Sequence, residues 1–527
     1  MELRRCLFCS GWQPFAPGLA IIAFRIAPWI ANQAGICQAR GEALASLGKD
    51  LSITIDSRSG AGAEDLPGPR GLPLIGNRHQ VRFDRLHLDL EDWAGQYGPL
   101  YQIRFGPHRV AVLSDRAEIH RLLADRPDGF RRPHYLEAAA SEMRLKGVFA
   151  AEGDDWRRQR RIVVDALNRA RIEDFFPGIA TTVGRLQRRW ERAADAGDLV
   201  DLCRDLMRFT VDVATQLAFG IDINTLETPG PTIQRHLAKV FPVLHRRLNS
   251  PYPYWRFIRL PADRRLDRAL DALELEFAAM VKTVRDRLER EPGRRRSPRD
   301  FLEAIITEME AEGSRVTNEE IFANVGNLLL AGEDTTANTI AWTVHLLAGS
   351  PDWLDRCRHE IDALTASNAP GMVDFEQTKR MPVIDAVSSE SMRLKPVAPL
   401  HMLEPLNDTW ILGRRIPEGT TIFMLLRHLA TRDEHFMNGD RFDPERWLVK
   451  PEERRGPHDH RAFVPFGAGP RFCPGRNLAM LEIRAVLAML CANFDVLPVD
   501  RASVREQLAF TMFPTNLFVR LGRRKRT

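Results

Sequence analysis

The sequence predicts a mainly α-helical protein with a small β region. Two short β-like runs, Leu100–Phe105 and 110–113, occur close together in the first quarter of the chain. Beyond them the spacing of apolar residues is mostly that of helices. One helix of more than thirty residues is predicted to begin at the capping box 317–320 and to end at 349–351. At about 1.5 Å per residue this helix would cross a whole domain.

Composition and charge are those of a soluble globular protein. The 527 residues include 75 Lys and Arg against 70 Asp and Glu, a net charge of +5, so there is no basic excess that would predict a nucleic-acid partner. Seven cysteines are scattered at positions 6, 9, 37, 203, 357, 473 and 491, which predicts free thiols in a reducing compartment. The sequence contains no Gly-rich nucleotide-binding spacing, so no fused flavin reductase is expected.

Residues 1–60 differ in character from the rest of the chain. A charge-free stretch, 6–24, approaches the length of a membrane span, but two prolines interrupt it. We predict that 1–60 is a leader, either disordered or a weak membrane anchor. The alternative is that the start of the protein is assigned too early in this sequence. Residues 61–527 are predicted to form a single domain. The protein is expected to be cytoplasmic, with membrane association through residues 1–31 as the alternative.

A single cysteine lies in the Gly- and Pro-rich loop 466–475, directly before the apolar helical pattern 478–491. Glycines allow backbone N–H groups to approach a sulfur atom, and these donors stabilise a thiolate together with the positive end of the following helix. Arg471, two residues before Cys473, can turn toward a haem propionate. The loop therefore indicates a cysteine thiolate that binds haem iron. The alternative, a buried structural cysteine after a glycine turn, explains neither the arginine nor the glycine spacing.

This loop resembles that of the cytochrome P-450 family, the haem-thiolate monooxygenases, whose pattern is F-x-x-G-x-R-x-C-x-G. The matching residues are Phe466, Gly469, Arg471, Cys473 and Gly475. The proline-rich stretch 66–77 is similar to the hinge that begins the family's catalytic domain, so the resemblance covers about 65–523.

The resemblance implies a haem-thiolate catalytic domain over 61–527, bacterial-like and without a fused reductase. In the family fold the haem lies between the long helix and the cysteine loop. Cys473 would then be the metal ligand of haem b. The other cofactor-binding residues that the resemblance implies in this loop are Phe466, Gly467, Arg471 and Gly475.

The middle of the long predicted helix, 331–336, reads AGEDTT, with two acids and two alcohols inside an apolar run. These are poor helix formers where polar groups are costly. Small Ala331 and Gly332 leave room for a ligand, and the Thr335 hydroxyl can bond a backbone carbonyl and open the helix locally. An alternative is that these polar residues simply lie on the helix surface.

The same hexapeptide resembles the family's oxygen-activating motif. The resemblance implies that Ala331 and Gly332 contact the cofactor. It also implies two catalytic residues: Asp334 relays protons from solvent, and Thr335 steadies the bound oxygen and its water.

Glu390 and Arg393 share one face of a helix predicted between Pro382 and Pro396. Alone they would be an everyday surface ion pair. Arg446 follows at about the spacing at which the family supplies a second arginine to its E-x-x-R pair. The resemblance implies that the three residues form a buried structural cluster that holds the loop before the cysteine.

Trp156 and Arg160 are four residues apart, so an indole N–H and a guanidinium can address the same anion. The pair resembles the family's W-x-x-x-R, which binds haem propionates. The family often places a further propionate-binding Arg or His after the E-x-x-R helix. Aligned through 396–399, that place holds Glu404, a departure from the family. His401 lies nearby but out of phase, so one propionate is expected to have fewer cationic partners.

The resemblance implies a monooxygenase that uses dioxygen and two electrons to hydroxylate or epoxidise a lipophilic substrate. The electrons would come from NAD(P)H through a separate ferredoxin or flavodoxin-type partner, or through a separate diflavin reductase, and the protein would be a monomer. The rival classes are a haem-thiolate isomerase or dehydratase, against which Asp334 and Thr335 argue, and a non-catalytic haem sensor. Family topology places the mainly apolar substrate walls at 131–148, part of 241–258, 330–335, 397–402 and 510–515.

Overall fold

The computed structural model describes residues 66–525, apart from gaps at 229–231, 238, 249, 251–252, 311–316 and 366–372. These residues belong to one compact unit, Ala63–Thr527. The predicted leader, 1–60, lies outside the described residues and stays a prediction. In the described part of the chain, no helix combines the length and the apolar character needed to cross a bilayer.

Helices make up most of the fold, which confirms the predicted class. The helices are α1 (Leu86–Tyr97), α2 (Arg116–Ala124), α3 (His134–Glu142), α4 (Gly153–Ala166), α5 (Arg169–Ala196), α6 (Leu202–Phe219), α7 (Thr232–Leu237), α8 (Val240–Leu248), α9 (Pro261–Arg290), α10 (Phe301–Met309), α11 (Asn318–Leu347), α12 (Pro351–Thr365), α13 (Phe375–Thr378), α14 (Pro382–Leu394), α15 (Leu426–Thr431), α16 (Glu445–Leu448) and α17 (Arg476–Asn493).

Short strands form the β region. The strands are β1 (Leu100–Phe105), β2 (His108–Leu113), β3 (Phe130–Arg131), β4 (Leu199–Asp201), β5 (Leu400–Pro405), β6 (Thr409–Ile411), β7 (Arg414–Ile416), β8 (Thr421–Leu425), β9 (Phe494–Pro498), β10 (Arg505–Leu508), β11 (Met512–Thr515) and β12 (Phe518–Arg523). The largest sheet has the order β1-β2-β8-β5-β3, in which β2 and β8 run parallel and the other pairs antiparallel. A second sheet has the order β4-β12-β9, and β6-β7 and β10-β11 are hairpins.

Both faces of the five-stranded sheet are buried. Along β8, Ile422 and Met424 belong to one apolar cluster, whereas Phe423 and Leu425 belong to another on the opposite face. Covering both faces fixes the register of β8 and β5, because a slip of one residue would exchange the two sets of side chains.

The long helix α11 is positioned by its cap and by close packing. Its capping box is formed as predicted: the Glu320 N–H donates to Thr317 Oγ1 at 3.2 Å, and the Thr317 N–H donates to the Glu320 carboxylate at 3.0 Å. At Gly332 a Cβ would lie 3.3 Å from the Cβ of Ala214, so the glycine lets α11 approach α6 closely. Helix α11 also packs against α14 and α17.

The main core joins α11 to the helix that follows the cysteine loop. Trp190, Phe209, Leu329 and Leu487, on α5, α6, α11 and α17, are fully buried in one cluster. Each such side chain contributes about 1.5–3 kcal/mol through burial. This packing holds the beginning of α17, and therefore the cysteine loop, in a fixed position relative to α11.

Candidate active site

The backbone of the cysteine loop requires its glycines. Gly467 and Gly469 have φ angles of 71° and 70°, in the left-handed region that favours glycine. A Cβ at Gly469 would lie 2.2 Å from the carbonyl oxygen of Leu123, so α2 also excludes a side chain there. The Cys473 N–H donates to the carbonyl of Phe466 at 2.9 Å and closes the loop.

The sulfur of Cys473 lies at the beginning of α17 and receives backbone hydrogen bonds. Burial raises the pKa of the Cys473 thiol, whereas the N–H groups of Gly475 and Arg476 and the charge of Arg160 act in the opposite direction. The structure therefore supplies donors for a sulfur anion, as the loop pattern predicts.

Trp156, Arg160 and Arg471 lie together beside this loop. The guanidinium carbon of Arg471 lies 4.5 Å from the centre of the Trp156 ring, and Arg160 donates to the carbonyl of Phe472. Arg471 donates to the carboxylate of Glu152, but its Nε and Nη1 are buried and have no hydrogen-bond partner among the described residues. Unpaired donors of this kind indicate a place for an anionic group.

Two further arginines, which the sequence analysis missed, extend this cluster. Arg126 is 5% exposed and its Nη2 lies 3.7 Å from Glu152 Oε1, while the backbone N–H of Arg132 donates to the same oxygen at 3.1 Å. The Nε and Nη2 atoms of Arg126 have no hydrogen-bond partner within the described residues. Burial and the neighbouring arginines lower the pKa of Arg126 to about 10 and that of Arg132 to about 9. The basic stretch 126–132 is the feature of the sequence that could have indicated these two arginines.

His401, rather than Glu404, belongs to this cluster. A Cβ at Gly467 would lie 3.6 Å from His401 Cε1, and burial with the charges of Arg132 and Arg126 lowers the pKa of His401 to about 4. Glu404, three residues along β5, faces the other way and accepts from the ring of His134 at 3.2 Å. Arg126 and Arg132 therefore add two cations to this cluster and His401 adds a neutral ring, while the number of cationic partners of each propionate stays a prediction.

The polar residues of α11 occupy different sides of the helix. Thr335 Oγ1 donates to the carbonyl of Ala331 at 2.6 Å, as predicted, but α11 continues without the predicted local opening. Ala331 is exposed, which is unusual in the middle of a central helix and shows that it borders open space. Gly332 lies against α6 and is half-buried, and its expected contact with the cofactor stays a prediction.

Asp334 is held by two neutral side chains. Its Oδ1 accepts from Asn338 Nδ2 at 2.9 Å, and its Oδ2 accepts from the hydroxyl of Thr511. Burial raises the pKa of Asp334, and these two hydrogen bonds act against that rise.

All five of the segments expected to form the substrate walls are joined by direct contacts. The contacts are Tyr135 Oη with Met402 Sδ (3.6 Å), Arg256 Nε with Glu142 Oε1 (2.7 Å), Met512 N with Val397 O (2.8 Å) and Thr511 Oγ1 with Asp334 Oδ2. Segments far apart in the sequence therefore converge beside α11.

Glu390, Arg393 and Arg446 form a buried cluster. Arg393 makes two hydrogen bonds to Glu390, at 2.8 and 2.7 Å, and Arg446 Nε donates to Glu390 at 3.1 Å. Trp447 Nε1 also donates to Glu390, at 2.9 Å, and its ring lies 4.8 Å from that of Phe463, just before the cysteine loop. Although burial alone would raise the pKa of Glu390, the bonds and charge of Arg393 keep it below its usual value.

Comparison with known proteins decides the family. The family model for cytochrome P-450 matches residues 66–519. The chain belongs to the cytochrome P-450 family. Cyclooctat-9-en-7-ol 5-monooxygenase of Streptomyces melanosporofaciens is 29% identical, over 82% of this chain and 89% of its own length. A putative cytochrome P-450 of Caenorhabditis elegans is 25% identical, over 86% of this chain and 93% of its own. The crystal structure of a cytochrome P-450 haem domain has a TM-score of 0.75 at 24% identity, covering 88% of this chain and 99% of that one, which confirms the predicted fold.

As a cytochrome P-450, this protein is a haem-thiolate monooxygenase, an oxidoreductase of a family that uses haem, redox partners and lipophilic substrates. The residues present fit the cofactor. Cys473 offers a sulfur with backbone donors around it, and the unpaired buried donors of Arg126 and Arg471 suit the two propionates.

Proposed function

We propose that Cys473 binds the iron of haem b and that the protein hydroxylates or epoxidises a lipophilic small molecule. The observation that carries this proposal is the Cys473 sulfur at the beginning of α17, with the N–H groups of Gly475 and Arg476 directed toward it. When bound, the haem supplies activation of dioxygen, using electrons from NAD(P)H delivered by a separate ferredoxin, flavodoxin-type protein or diflavin reductase.

The chain's own residues would hold the cofactor from three sides. On the side of Cys473, the residues in contact with the cofactor would be Phe466, Gly467 and Gly475 of the cysteine loop. Ala331 would contribute from α11, because its small side chain borders open space. The propionates would be bound by four arginines, Arg126, Arg132, Arg160 and Arg471, together with the neutral side chains of Trp156 and His401.

Asp334 and Thr335 would handle protons. Because the Thr335 hydroxyl already donates its proton to Ala331 O, its two lone pairs can only accept, which would suit it to hold a water molecule or another O–H group in place. The Asp334 carboxyl, whose pKa burial raises, would take up and release a proton next to it.

The substrate would be lipophilic because the converging segments are mainly apolar. We also infer that the protein works as a monomer in the cytoplasm. The charge balance offers no general nucleic-acid surface, and +5 spread over 527 residues is compatible with docking of an acidic redox protein at a local basic face.

The carbon monoxide spectrum of the reduced protein tests this function. We expect the strongly red-shifted Soret band of thiolate-ligated haem, and we expect Cys473→Ala to lose it. Cys357→Ala is the control, since Cys357 is a buried thiol on α12, outside the loop, and its replacement should leave the band in place. A freshly prepared protein with the band of histidine-ligated haem would refute the proposal.

A further inference from the structure

The acid on the central helix is held by a residue from a distant part of the chain. Thr511 lies 177 positions after Asp334, and its hydroxyl donates to Asp334 Oδ2. The second contact, from Asn338 to Oδ1 at 2.9 Å, comes from one turn further along α11. Between them the two contacts use both carboxyl oxygens, so they restrict rotation of the carboxyl about its last bond.

Thr511 is itself held by its backbone. It lies in the turn between β10 and β11, where the Ala509 N–H donates to the Thr511 carbonyl at 2.9 Å and the Met512 N–H donates to Val397 O at 2.8 Å. The Thr511 residue is 8% exposed. Its hydroxyl is therefore presented to α11 from a fixed turn, and the neighbouring Phe510 places its ring 5.7 Å from that of Phe149.

Among the described residues, no charged side chain forms an ion pair with Asp334. Within the described residues, its hydrogen-bond partners are the neutral Thr511 and Asn338. Cys203 of α6 is the titratable side chain that faces it from a neighbouring helix, and burial together with Asp201 and Asp334 raises the pKa of Cys203 to about 12. Glu333 is the adjacent acid on α11 itself. At neutral pH the thiol carries no charge, so burial and these hydrogen bonds, rather than an ion pair, set the state of Asp334.

We propose that Thr511 is a positioning residue for Asp334, which makes the β10–β11 turn part of the proton-handling machinery. The inference rests on the proposed role of Asp334. A threonine hydroxyl can donate to a carboxylate and accept from a carboxylic acid, so the contact persists whether or not Asp334 holds its proton. The amide nitrogen of Asn338, which faces Asp334 Oδ1, can only donate and favours the ionised form. Thr511 thus keeps one carboxyl orientation through a complete cycle of proton uptake and release.

Infrared spectroscopy of the ferric holoenzyme tests this inference without substrate or a redox partner. The band of protonated Asp334 is identified as the carboxyl band that Asp334→Asn removes, and its titration midpoint is measured in each variant. Thr511→Val keeps the branched shape but lacks the donor, so we expect the band to shift in frequency and its midpoint to rise by about one pH unit. Thr511→Ser restores a hydroxyl and should return the midpoint to within about 0.3 unit of wild type.

The matched control is Thr515→Val, at the far end of β11, because the Thr515 hydroxyl donates to Arg505 O at 3.2 Å and not to Asp334. Haem content and thermal unfolding show that each variant is folded, and Thr511→Ala replaces the valine variant if that one does not fold. The inference is overturned if removing the Thr511 hydroxyl leaves the band unchanged, or if the control moves it equally. The carbon monoxide spectrum is independent of Thr511, so failure here and failure of the proposed function are distinguishable.

Discussion

At the scale of single residues, the least expected feature is a carboxylic acid inside the core. Glu482 of α17 is 3% exposed, and its Oε2 has no hydrogen-bond partner among the described residues. Burial raises the pKa of Glu482 well above its usual value of 4.5. An ionised carboxylate in such a place costs far more than a neutral acid, so burial favours the protonated form of Glu482 in the folded protein.

This buried acid predicts a pH dependence of stability. The folded state binds the proton of Glu482 more tightly than the unfolded chain does. Proton binding by Glu482 therefore contributes fully to the free energy of unfolding below about pH 4.5, and this contribution is lost as the pH rises through the pKa of Glu482 in the folded state. Glu482→Gln cannot ionise there. In urea titrations, we expect the free energy of unfolding of the Glu482→Gln variant, relative to that of the wild type, to increase between about pH 5 and pH 8. Glu445→Gln, at an exposed pair, should show no such slope, and parallel curves for both variants would contradict the assignment.

A second prediction at this scale concerns Thr335. Thr335→Ala removes the hydroxyl that donates to Ala331 O and that we propose to hold a water molecule beside the haem. We expect unchanged haem content but a fall of roughly tenfold in product formed per NAD(P)H consumed, with peroxide released instead. The measurement uses a substrate found by spin-state titration, and Thr335→Ser serves as the control that keeps the hydroxyl. Equal product yield in the alanine variant would leave Thr335 without its proposed role.

At the scale of elements, the Glu390 cluster ties α14 to the segment that leads to the cysteine loop. Arg393 Nη1 donates to Ala430 O at 2.6 Å, and Arg446 Nη1 donates to Met437 O at 3.1 Å, so the charged groups also satisfy backbone carbonyls at the end of α15 and in the chain after it. Each member needs the others once water is removed.

Removing the acid of this cluster should therefore cost much of the protein's stability. Glu390→Ala leaves the buried Arg393 without an acidic partner and Arg446 with only Asp443, 3.7 Å away, and breaking a buried charge pair typically costs about 3–5 kcal/mol. That is a large part of the roughly 5–15 kcal/mol that keeps a domain folded. We expect a low yield of haem protein and a lowered unfolding midpoint. Glu445→Ala, which removes an exposed partner of Arg356, should change stability by about 1 kcal/mol at most, and equal effects of the two substitutions would refute the argument.

The sequence predicted the elements whose signals are local. The cap of α11 needs only four consecutive residues, and α14 begins at its proline and ends just before the next one. The strands β5 and β8 were not predicted as strands. They are short, buried on both faces and paired to each other and to β2, so their stability depends on neighbours from distant parts of the chain.

At the scale of the whole molecule, the domain assignment can be tested by truncation. The matched family region is 66–519, so we expect a chain that starts near Ala61 to keep the haem content and carbon monoxide spectrum of the full chain. Equal spectra and unfolding midpoints would support a domain over 61–527. Loss of haem on truncation would contradict it. Sedimentation of only the full chain with membranes would instead favour the anchor alternative for residues 1–31.

The amino-acid sequence by itself determined the chemistry that depends on neighbouring residues. Ten consecutive residues around Cys473 specify a loop in which glycines permit the backbone turns and the following helix supplies donors to the sulfur. The same holds for Thr335, whose hydrogen bond reaches one turn back along its own helix. For such contacts, sequence spacing and spatial distance are nearly equivalent.

Only the tertiary structure decided which distant residues meet. It brought Arg126 and His401 to the Arg471 cluster, placed Gly332 against α6, and joined Thr511 to Asp334 across 177 positions. These contacts depend on strand register, on the face that each helix presents and on the packing of α11 against α6. Such properties come from burying the whole apolar core at once, and no local sequence pattern records them.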